Sequence, residues 1–491
     1  MTLRRKAAAG VFWVGVSTAA NNFFKLVITY VLARMLDPAH FGLVSMANLA
    51  IDFLNMFREM GFASALIYRK GDIRKAADTT FITILAIAAV LFLLAFAGAP
   101  LAAVFFRTSE LTPVLRVLSL NILISAFGQV QLSLLAKNLA FRERLLPDLV
   151  PTVVYGVLAV ALALMGMGVW SLVIAKLVDS ALTALLSWLV VPWWRPRLRF
   201  DRQEARELFD YGKHVVGSGV LIYFITNLDN TFVGRVLGEE QLGYYGFAYT
   251  QANVPATQIS RIVGQVLFPA YSKIQDNIEA LRSAFFRTMH YVSLVTIPLS
   301  VGMIAFAGPF VDTLYGQRWA QAIVPLQWLG VYGLLRAIAV NFGSVFKAGG
   351  KPQWLTYIAL LRLAVMGTLL YPATLYYGIV GVSVLSAFVA IADFTLSVVL
   401  TNRIIHGKLP DYVRTVGLPA VLSLLSAFAG MWVYQRMASG HGLIALVVAG
   451  ALMVTVYGTL VLVIDSDMRR TVLGLRGELE QAGHKWMGNG E

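Results

Sequence analysis

The sequence contains no cysteine among its 491 residues, so a disulfide framework and a thiolate metal site are both excluded. Charged side chains make up only 13% of the chain, whereas soluble domains carry about a quarter. The sequence also lacks a GxxxxGK phosphate loop and a paired-histidine metal motif, which argues against ATP hydrolysis and metal chemistry. We therefore expect no cofactor, no metal site and no soluble catalytic domain.

Hydrophobic residues make up 58% of the chain, and they fall in runs long enough to cross a bilayer, for which about 20 residues suffice. Fourteen such runs predict an all-α polytopic membrane protein with about 14 transmembrane helices. Tight turns are predicted at Gly166, Gly168 and Gly378. The spans are placed near residues 10–35, 41–68, 78–106, 113–137, 147–167, 169–192, 212–237, 242–269, 285–311, 322–346, 353–376, 379–402, 412–435 and 442–464.

Basic residues are distributed unequally between the two sides of these spans. The N-terminus, alternate loops and the C-terminal tail hold 28 Lys and Arg, while the opposite loops hold only five: Arg34, Arg107, Arg235, Arg318 and Arg436. By the positive-inside rule, both termini are predicted to be cytoplasmic, in a multi-pass protein of the cell inner membrane. We therefore attribute the net charge of +14 to the basic loops on the predicted cytoplasmic side. For this reason we expect no nucleic-acid partner.

An internal repeat is visible at an offset of 201 residues. "ARMLDPAHFGLVSMA" (33–47) and "GRVLGEEQLGYYGFA" (234–248) match at Arg, Leu, Gly and Ala. The repeat predicts an N-terminal lobe (1–192, spans one to six), a cytoplasmic linker with a surface helix (193–211) and a C-terminal lobe (212–402, spans seven to twelve). In the linker, Asp201 is predicted to cap the surface helix, with Glu204 as its reciprocal partner. Spans thirteen and fourteen (403–464) and a cytoplasmic tail (465–491) follow. Parallel repeats favour alternating access around a site between the halves. The alternative is a coincidental match in apolar sequence.

Polar residues form a stripe along the second span. Ser45, Asn48, Asp52, Asn55 and Glu59 share one face of a helix, with Arg58 at its margin. A central charge facing lipid costs at least about 2.5–3.5 kcal/mol, so this face is predicted to meet protein or water. Comparable stripes mark three other spans, at Thr18, Asn22, Lys25 and Thr29, at Tyr223, Asn227 and Asn230, and at Thr250, Asn253, Thr257 and Arg261. They predict a hydrated central cavity; the alternative is polar contacts that hold helices together.

Further charged residues lie within the apolar spans. Lys176 and Asp179 are three residues apart, which favours a structural ion pair over a ligand site. His290 is predicted to be an ordinary packed histidine. The remaining charges in these spans are Arg116, Asp229, Arg336, Arg362 and Asp393.

The segments "LARMLDPAHFGLVSMA" and "REMGFASALIYRKGDIRKA" resemble the bacterial polysaccharide transporters, which are the oligosaccharide flippases of the multidrug/oligosaccharidyl-lipid/polysaccharide exporter superfamily. The resemblance extends over the chain in span number, repeat and central loop. It implies a two-lobed bundle that moves an undecaprenyl-pyrophosphate-linked oligosaccharide from the cytoplasmic to the periplasmic leaflet without covalent chemistry. A glycan polymerase and the export machinery would be its further partners, beside membrane lipids.

The resemblance also implies a basic cavity for the pyrophosphate. From position and helix face, the candidate ligands are Lys25, Arg58, Arg261, Arg336 and Arg362. Polar cavity residues, with carboxylates as candidates for coupling to a proton or sodium ion, are Asn48, Asp52, Asn55, Glu59, Asp229 and Asn253. Two alternatives stay open: a cation-coupled multidrug exporter, which needs an acidic cavity, and a membrane glycan polymerase or ligase, which needs a large outer loop.

Overall fold

A computed structural model describes residues 3–59, 66, 73–138, 140–197, 199–254, 256–257, 267–437, 442–465 and 468–469. These residues are almost entirely helical. The helices are α1 (Leu3–Met35), α2 (Pro38–Glu59), α3 (Ile73–Phe106), α4 (Leu111–Lys137), α5 (Phe141–Leu164), α6 (Val169–Val190), α7 (Arg202–Leu237), α8 (Glu239–Ala252), α9 (Ile278–Ala305), α10 (Ile323–Ala348), α11 (Gln353–Ile405), α12 (Leu409–Met437) and α13 (Gly442–Ile464). Short helical turns join α9 to α10 between Ala307 and Ala322.

Each of the fourteen predicted spans overlaps one of these helices, and α11 carries two of them. A kink at Gly378, whose φ is +59°, separates its two halves. Gly166 and Gly168, with φ of +77° and +53°, form the turn between α5 and α6. Only glycine adopts such angles without steric cost, so both predicted turns, with their three glycines, are confirmed. The chain is an all-α polytopic membrane protein.

Nine helical segments of the described residues are long and apolar enough to cross a membrane. The helices outside that set are α1, α2, α7 and the described part of α8. α1, α2 and α7 each carry one of the polar stripes found in the sequence, and the fourth stripe begins at Thr250 in α8, which is only 14 residues long. Polar side chains at helical spacing lower the hydropathy of α2 and α7, as expected for helices that do not face lipid on all sides.

The chain forms two compact units, each with its own core. Unit 1 comprises Met1–Gly246 and Met366–Val382, and unit 2 comprises Phe247–Val365 and Ser383–Glu491. In unit 1, aliphatic residues of α1, α5 and α6 pack around Leu32 and Leu172. In unit 2, an aromatic core joins α9, α10 and α12 through Phe285, Phe342 and Tyr412. The predicted division into lobes at residues 192 and 402 stays a prediction.

The two copies of the repeated segment touch each other within unit 1. A Cβ atom at Gly42 would lie 1.6 Å from the backbone oxygen of Glu239, and one at Gly243 would lie 2.0 Å from that of Pro38. Pro38 and Glu239 are 201 residues apart, as are Gly42 and Gly243. The contact is therefore reciprocal: each copy places its glycine on the first residue of the other copy's helix.

The same register continues one turn further along α2 and α8. A Cβ atom at Gly246 would lie 3.9 Å from Oγ of Ser45, and these residues are again 201 apart. Small residues let helix backbones approach closely in membrane proteins. The repeat found in the sequence thus corresponds to a physical symmetry in the structure.

The linker helix predicted between the lobes is continuous with the seventh span, because α7 runs without a break from Arg202 to Leu237. Asp201 caps its start, as predicted, and accepts a hydrogen bond from the backbone N–H of Glu204 at 2.8 Å. The backbone N–H of Asp201 donates to Oγ1 of Thr79 at 3.3 Å, so α3 also supplies an acceptor at the start of α7. The reciprocal contact from Glu204 stays a prediction.

His290 has a more specific environment than ordinary packing. Its Nε2 lies 2.6 Å from Oδ2 of Asp465, at the end of α13, and its Nδ1 lies 3.3 Å from the backbone oxygen of Thr415 on α12. Both partners are hydrogen-bond acceptors, so the imidazole links three helices of unit 2.

Replacing Gly42 with alanine should destabilise the protein, because a backbone oxygen occupies the position that the new methyl group needs. Overpacking typically costs about 1–3 kcal/mol. The matched control is Gly98→Ala in α3, where a Cβ atom would meet nothing within 4 Å. Thermal unfolding of the purified proteins should give a lower Tm for Gly42→Ala only. Equal Tm values for both variants would contradict the close contact.

Asp201→Asn should lower the Tm by a few degrees at neutral pH. The hydrogen bond from Lys75, 2.8 Å away, is the main cause that lowers the pKa of Asp201, followed by the backbone N–H of Glu204. A lowered pKa means that the charge stabilises the folded state above the unfolded pKa of about 3.9, and that this contribution is lost as the pH falls through the folded value. The difference in Tm between wild type and variant should therefore disappear in acid, and a constant difference would contradict the charge effect.

Candidate functional site

Two arginines predicted as anion ligands lie side by side in unit 2. Arg336 projects from α10 and Arg362 from the first half of α11, and Tyr332 lies between them. The phenol oxygen of Tyr332 accepts hydrogen bonds from Arg362 Nη2 at 2.6 Å and from Arg336 Nη1 at 3.5 Å. The two guanidinium carbons lie 5.5 and 6.0 Å from the centre of its ring. The side chain of Tyr332 is only 3% exposed, so it contacts both guanidinium groups from the protein interior.

The end of α8 completes this cluster. Arg336 Nη1 donates to Oδ1 of Asn253 at 3.3 Å and to the phenol oxygen of Tyr249 at 3.4 Å. The amide nitrogen of Asn253 donates to the backbone oxygen of Tyr249 at 2.9 Å, which turns its Oδ1 toward the arginine. We call Tyr249, Asn253, Tyr332, Arg336 and Arg362 the arginine cluster.

A close approach of two backbones makes the arginine cluster possible. A Cβ atom at Gly333 on α10 would lie 2.3 Å from the backbone oxygen of Ala252 on α8. Glycine at this position therefore lets α8 pack against α10 at the level of Tyr332 and Asn253. Any larger residue would separate the side chains that bind Arg336.

The cluster carries a net positive charge. Within the described residues, neither guanidinium forms a salt bridge, and the hydrogen-bond acceptors are neutral phenol and amide oxygens. Asp393, on the second half of α11, interacts electrostatically with Arg362. Two cations against one carboxylate leave an excess of one positive charge. Such a site can bind an anion, and guanidinium groups are suited to two-point contacts with phosphate.

The acidic candidates of unit 1 lie in a different environment. Lys176 Nζ lies 2.8 Å from Oδ2 of Asp179, which confirms the predicted ion pair on α6. The ammonium group also interacts with Asp52 on α2, whose side chain is exposed. Tyr223 of α7 donates to the backbone oxygen of Leu49 at 2.6 Å, one helical turn from Asp52. Asp52 of the stripe thus interacts with α6 through Lys176, and α2 is hydrogen-bonded to α7 through the backbone of Leu49.

Arg58 does not extend along the polar stripe. It is 6% exposed, and its guanidinium donates to the hydroxyl of Ser125 and, at 3.4 Å, to the backbone oxygen of Ile122 on α4. These contacts give Arg58 a role in joining α2 to α4. Neighbouring Asn55 has a buried Oδ1 without a hydrogen-bond partner in the described structure.

The remaining candidates differ in exposure. The side chain of Lys25 is exposed on α1, and Asn48 is partly buried on α2. Asp229 is 7% exposed and accepts a hydrogen bond from the hydroxyl of Tyr245 at 2.7 Å. Arg261 and the side chain of Glu59 lie outside the described residues.

Sequence reasoning missed Tyr249 and Tyr332. The signal that could have found them is helical spacing, since each lies four residues before another member of the cluster, Asn253 or Arg336, and so shares its helix face. Neither tyrosine belongs to one of the four polar stripes, so the sequence analysis did not assign its hydroxyl to a site.

Tyr332→Phe should weaken the packing of α10 against α11, because two guanidinium groups lose a shared acceptor. Leaving buried polar groups without a partner typically costs about 1–3 kcal/mol. The control is Tyr357→Phe on α11, where the ring is 63% exposed. A lower Tm for Tyr332→Phe than for Tyr357→Phe is expected, and an unchanged Tm would contradict the bridging role.

The sequence was compared with protein families and with known proteins, and the matches agree with one another. Residues 31–324 match the family described as "Polysaccharide biosynthesis protein". The chain is 26% identical to the teichuronic acid biosynthesis protein TuaB of Bacillus subtilis, over 86% of this chain and 88% of TuaB. It is 30% identical to the succinoglycan biosynthesis transport protein ExoT of Rhizobium meliloti, over 74% of both chains. Its fold is similar to that of the lipid II flippase MurJ in an inward closed conformation, with a TM-score of 0.71 and 14% identity over 93% of this chain and 99% of MurJ.

Proposed function

This chain belongs to the polysaccharide biosynthesis protein family, and from that membership we propose that it is a flippase for lipid-linked oligosaccharides. It would move undecaprenyl-pyrophosphate-linked repeat units from the cytoplasmic to the periplasmic leaflet by alternating access, for export of exopolysaccharide, capsule or O-antigen. Such transport needs no covalent chemistry, so the protein would not be an enzyme. The names of ExoT, a transport protein, and of MurJ, a flippase, support this proposal.

The arginine cluster is the observation that carries the proposal. At an effective dielectric of about 20, one charge at 4 Å contributes on the order of 4 kcal/mol before desolvation. Arg336 and Arg362 would together bind the two phosphates of a pyrophosphate. Their present partners are neutral oxygens, which an anionic ligand can displace more easily than it can displace a carboxylate.

The positive charge of the arginine cluster distinguishes the flippase proposal from a multidrug exporter, and the short outer turns distinguish it from a polymerase or ligase. A multidrug exporter for organic cations needs an acidic cavity, whereas the arginine cluster has more cations than carboxylates. A polymerase or ligase needs a large loop over its reaction, whereas the described turns on the predicted outer side are short; α1 and α2, for example, are separated only by Leu36 and Asp37. Both features favour anion transport.

Orientation and coupling belong to the same proposal. Both termini would be cytoplasmic in the inner membrane, with a glycan polymerase and the export machinery as later partners. Of the carboxylates that could carry a coupling proton or sodium ion, Asp52 is the better supported, because its side chain is exposed beside Lys176. Asp229 is buried and hydrogen-bonded to Tyr245.

The double substitution Arg336→Gln, Arg362→Gln should lower glycan export ten- to a thousandfold, which corresponds to about 1.4–4 kcal/mol of lost binding. Glutamine keeps hydrogen-bonding capacity and removes the charge. The measurement is flipping of a pyrophosphate-linked oligosaccharide in vesicles, normalised to protein abundance. Arg436→Gln, at the end of α12, is the control that removes a charge outside the cluster. Full activity of a normally abundant double variant would exclude the cluster as the substrate site.

A deletion strain distinguishes the proposed reaction from polymerisation. Loss of a flippase should leave completed lipid-linked repeat units on the cytoplasmic face of the membrane. Accumulation of single repeat units on the periplasmic face would instead indicate a polymerase and contradict the proposal.

A further inference from the structure

A second basic site lies in unit 2, in a surface pocket of about 460 Å³ between the start of α9 and the start of α12. None of the arginine cluster residues lines it. The pocket is lined by Glu279, Arg282, Ser283, Phe286, Lys408, Asp411, Arg414 and Thr415.

Both walls of the pocket are regular helix faces. On α9, Arg282, Ser283 and Phe286 follow Glu279 at intervals of three, four and seven residues, so they point in one direction. On α12, Asp411 and Thr415 are four residues apart on the facing surface. The pocket is thus formed between the first turns of α9 and the first turns of α12.

The loop before α12 is fixed in place by packing. A Cβ atom at Gly407 would lie 2.9 Å from Oδ1 of Asn402 and 3.2 Å from the ring of Phe286. Asn402 Oδ1 also accepts a hydrogen bond from the hydroxyl of Tyr412 at 2.8 Å, and the ring of Tyr412 packs edge-on against Phe286 at 4.9 Å. These contacts place Lys408 at the rim of the pocket.

Three cations line the pocket. In the described part of the chain, the side chains of Arg282, Lys408 and Arg414 form no salt bridge. Of the two carboxylates that line the pocket, Asp411 accepts a hydrogen bond from the backbone N–H of Lys408 at 3.0 Å. Asp411 and Glu279 leave one excess positive charge. The hydroxyl of Ser283 adds a hydrogen-bond donor suited to phosphate oxygens, whereas the hydroxyl of Thr415 already donates to the backbone oxygen of Asp411 at 2.6 Å.

The apolar surface beside the pocket indicates a membrane boundary. Leu409 and Val413 on α12 are 66% and 64% exposed, and Ile278 at the start of α9 is 44% exposed. Exposed aliphatic residues next to unpaired cations suit a ligand with an anionic head and an apolar tail. Basic pockets between transmembrane helices bind anionic lipid headgroups in this manner.

We propose that the pocket of Arg282, Lys408 and Arg414 binds the phosphate of an anionic phospholipid headgroup, such as phosphatidylglycerol, at the membrane boundary between α9 and α12. The lipid would join the start of α12 to α9 and stabilise unit 2. This site is independent of the flippase proposal, because it concerns a resident lipid and not the transported substrate.

The test uses the full-length protein in detergent, with phosphatidylglycerol, zwitterionic phosphatidylcholine or inorganic phosphate added separately. Thermal unfolding and native mass spectrometry measure stabilisation and apparent lipid affinity. Phosphatidylglycerol should raise the Tm, and neither phosphatidylcholine nor inorganic phosphate should do so. The triple variant Arg282→Gln, Lys408→Gln, Arg414→Gln should bind phosphatidylglycerol about ten- to a hundredfold more weakly.

The matched control removes three other exposed basic residues, with Arg142→Gln, Arg202→Gln and Arg206→Gln, and should keep the wild-type response. If the triple variant does not fold, the single variants Lys408→Gln and Arg414→Gln, both at exposed positions, should each weaken lipid binding severalfold. An equal lipid response in variants and control would overturn the site. Stabilisation by inorganic phosphate alone, with no added effect of the lipid, would overturn the lipid assignment.

Discussion

The reciprocal contact between the two copies of the repeat is the constraint on which the geometry of unit 1 depends. Gly42 packs against the backbone of Glu239, and Gly243 packs against the backbone of Pro38. The first turns of α2 and α8 are therefore in direct backbone contact. Glu239 also accepts a hydrogen bond from Thr108 at 2.9 Å, which ties the turn between α3 and α4 to the same point. These contacts fix the first turn of α8 within unit 1.

Within unit 2, a second glycine permits a close backbone contact. Gly333 lets α10 approach Ala252, which brings Tyr332 and Arg336 to the level of Asn253. The backbone contact at Gly333 therefore determines which side chains meet in the arginine cluster. The arginines themselves contribute charge, but their relative position is a property of the packing around them.

The sequence predicted features that depend on local periodicity. The spans, the glycine turns at Gly166 and Gly378, the cap at Asp201 and the Lys176–Asp179 pair all lie within a few residues of the pattern that revealed them. The offset of 201 residues was also visible, since it repeats a short motif. Contacts between distant segments could not be predicted from these local patterns. Arg58, for example, donates a hydrogen bond to the backbone oxygen of Ile122 on α4, 64 residues away, and hydropathy does not indicate that partner. The tyrosines of the arginine cluster were missed for the same reason, because their hydroxyls matter only once α8, α10 and α11 are packed together.

The choice of arginine in the cluster would limit how the proposed anion leaves. Guanidinium groups stay protonated throughout the physiological pH range, so no change in acidity can discharge Arg336 or Arg362. Release of the proposed anion would therefore come from movement: the two cations would have to separate, or their neutral oxygens would have to replace the anion. Tyr332 is placed for that exchange, since its hydroxyl already binds both arginines in the ligand-free arrangement. The phenol oxygen would act as an internal competitor, always present at the site, that keeps affinity low enough for turnover.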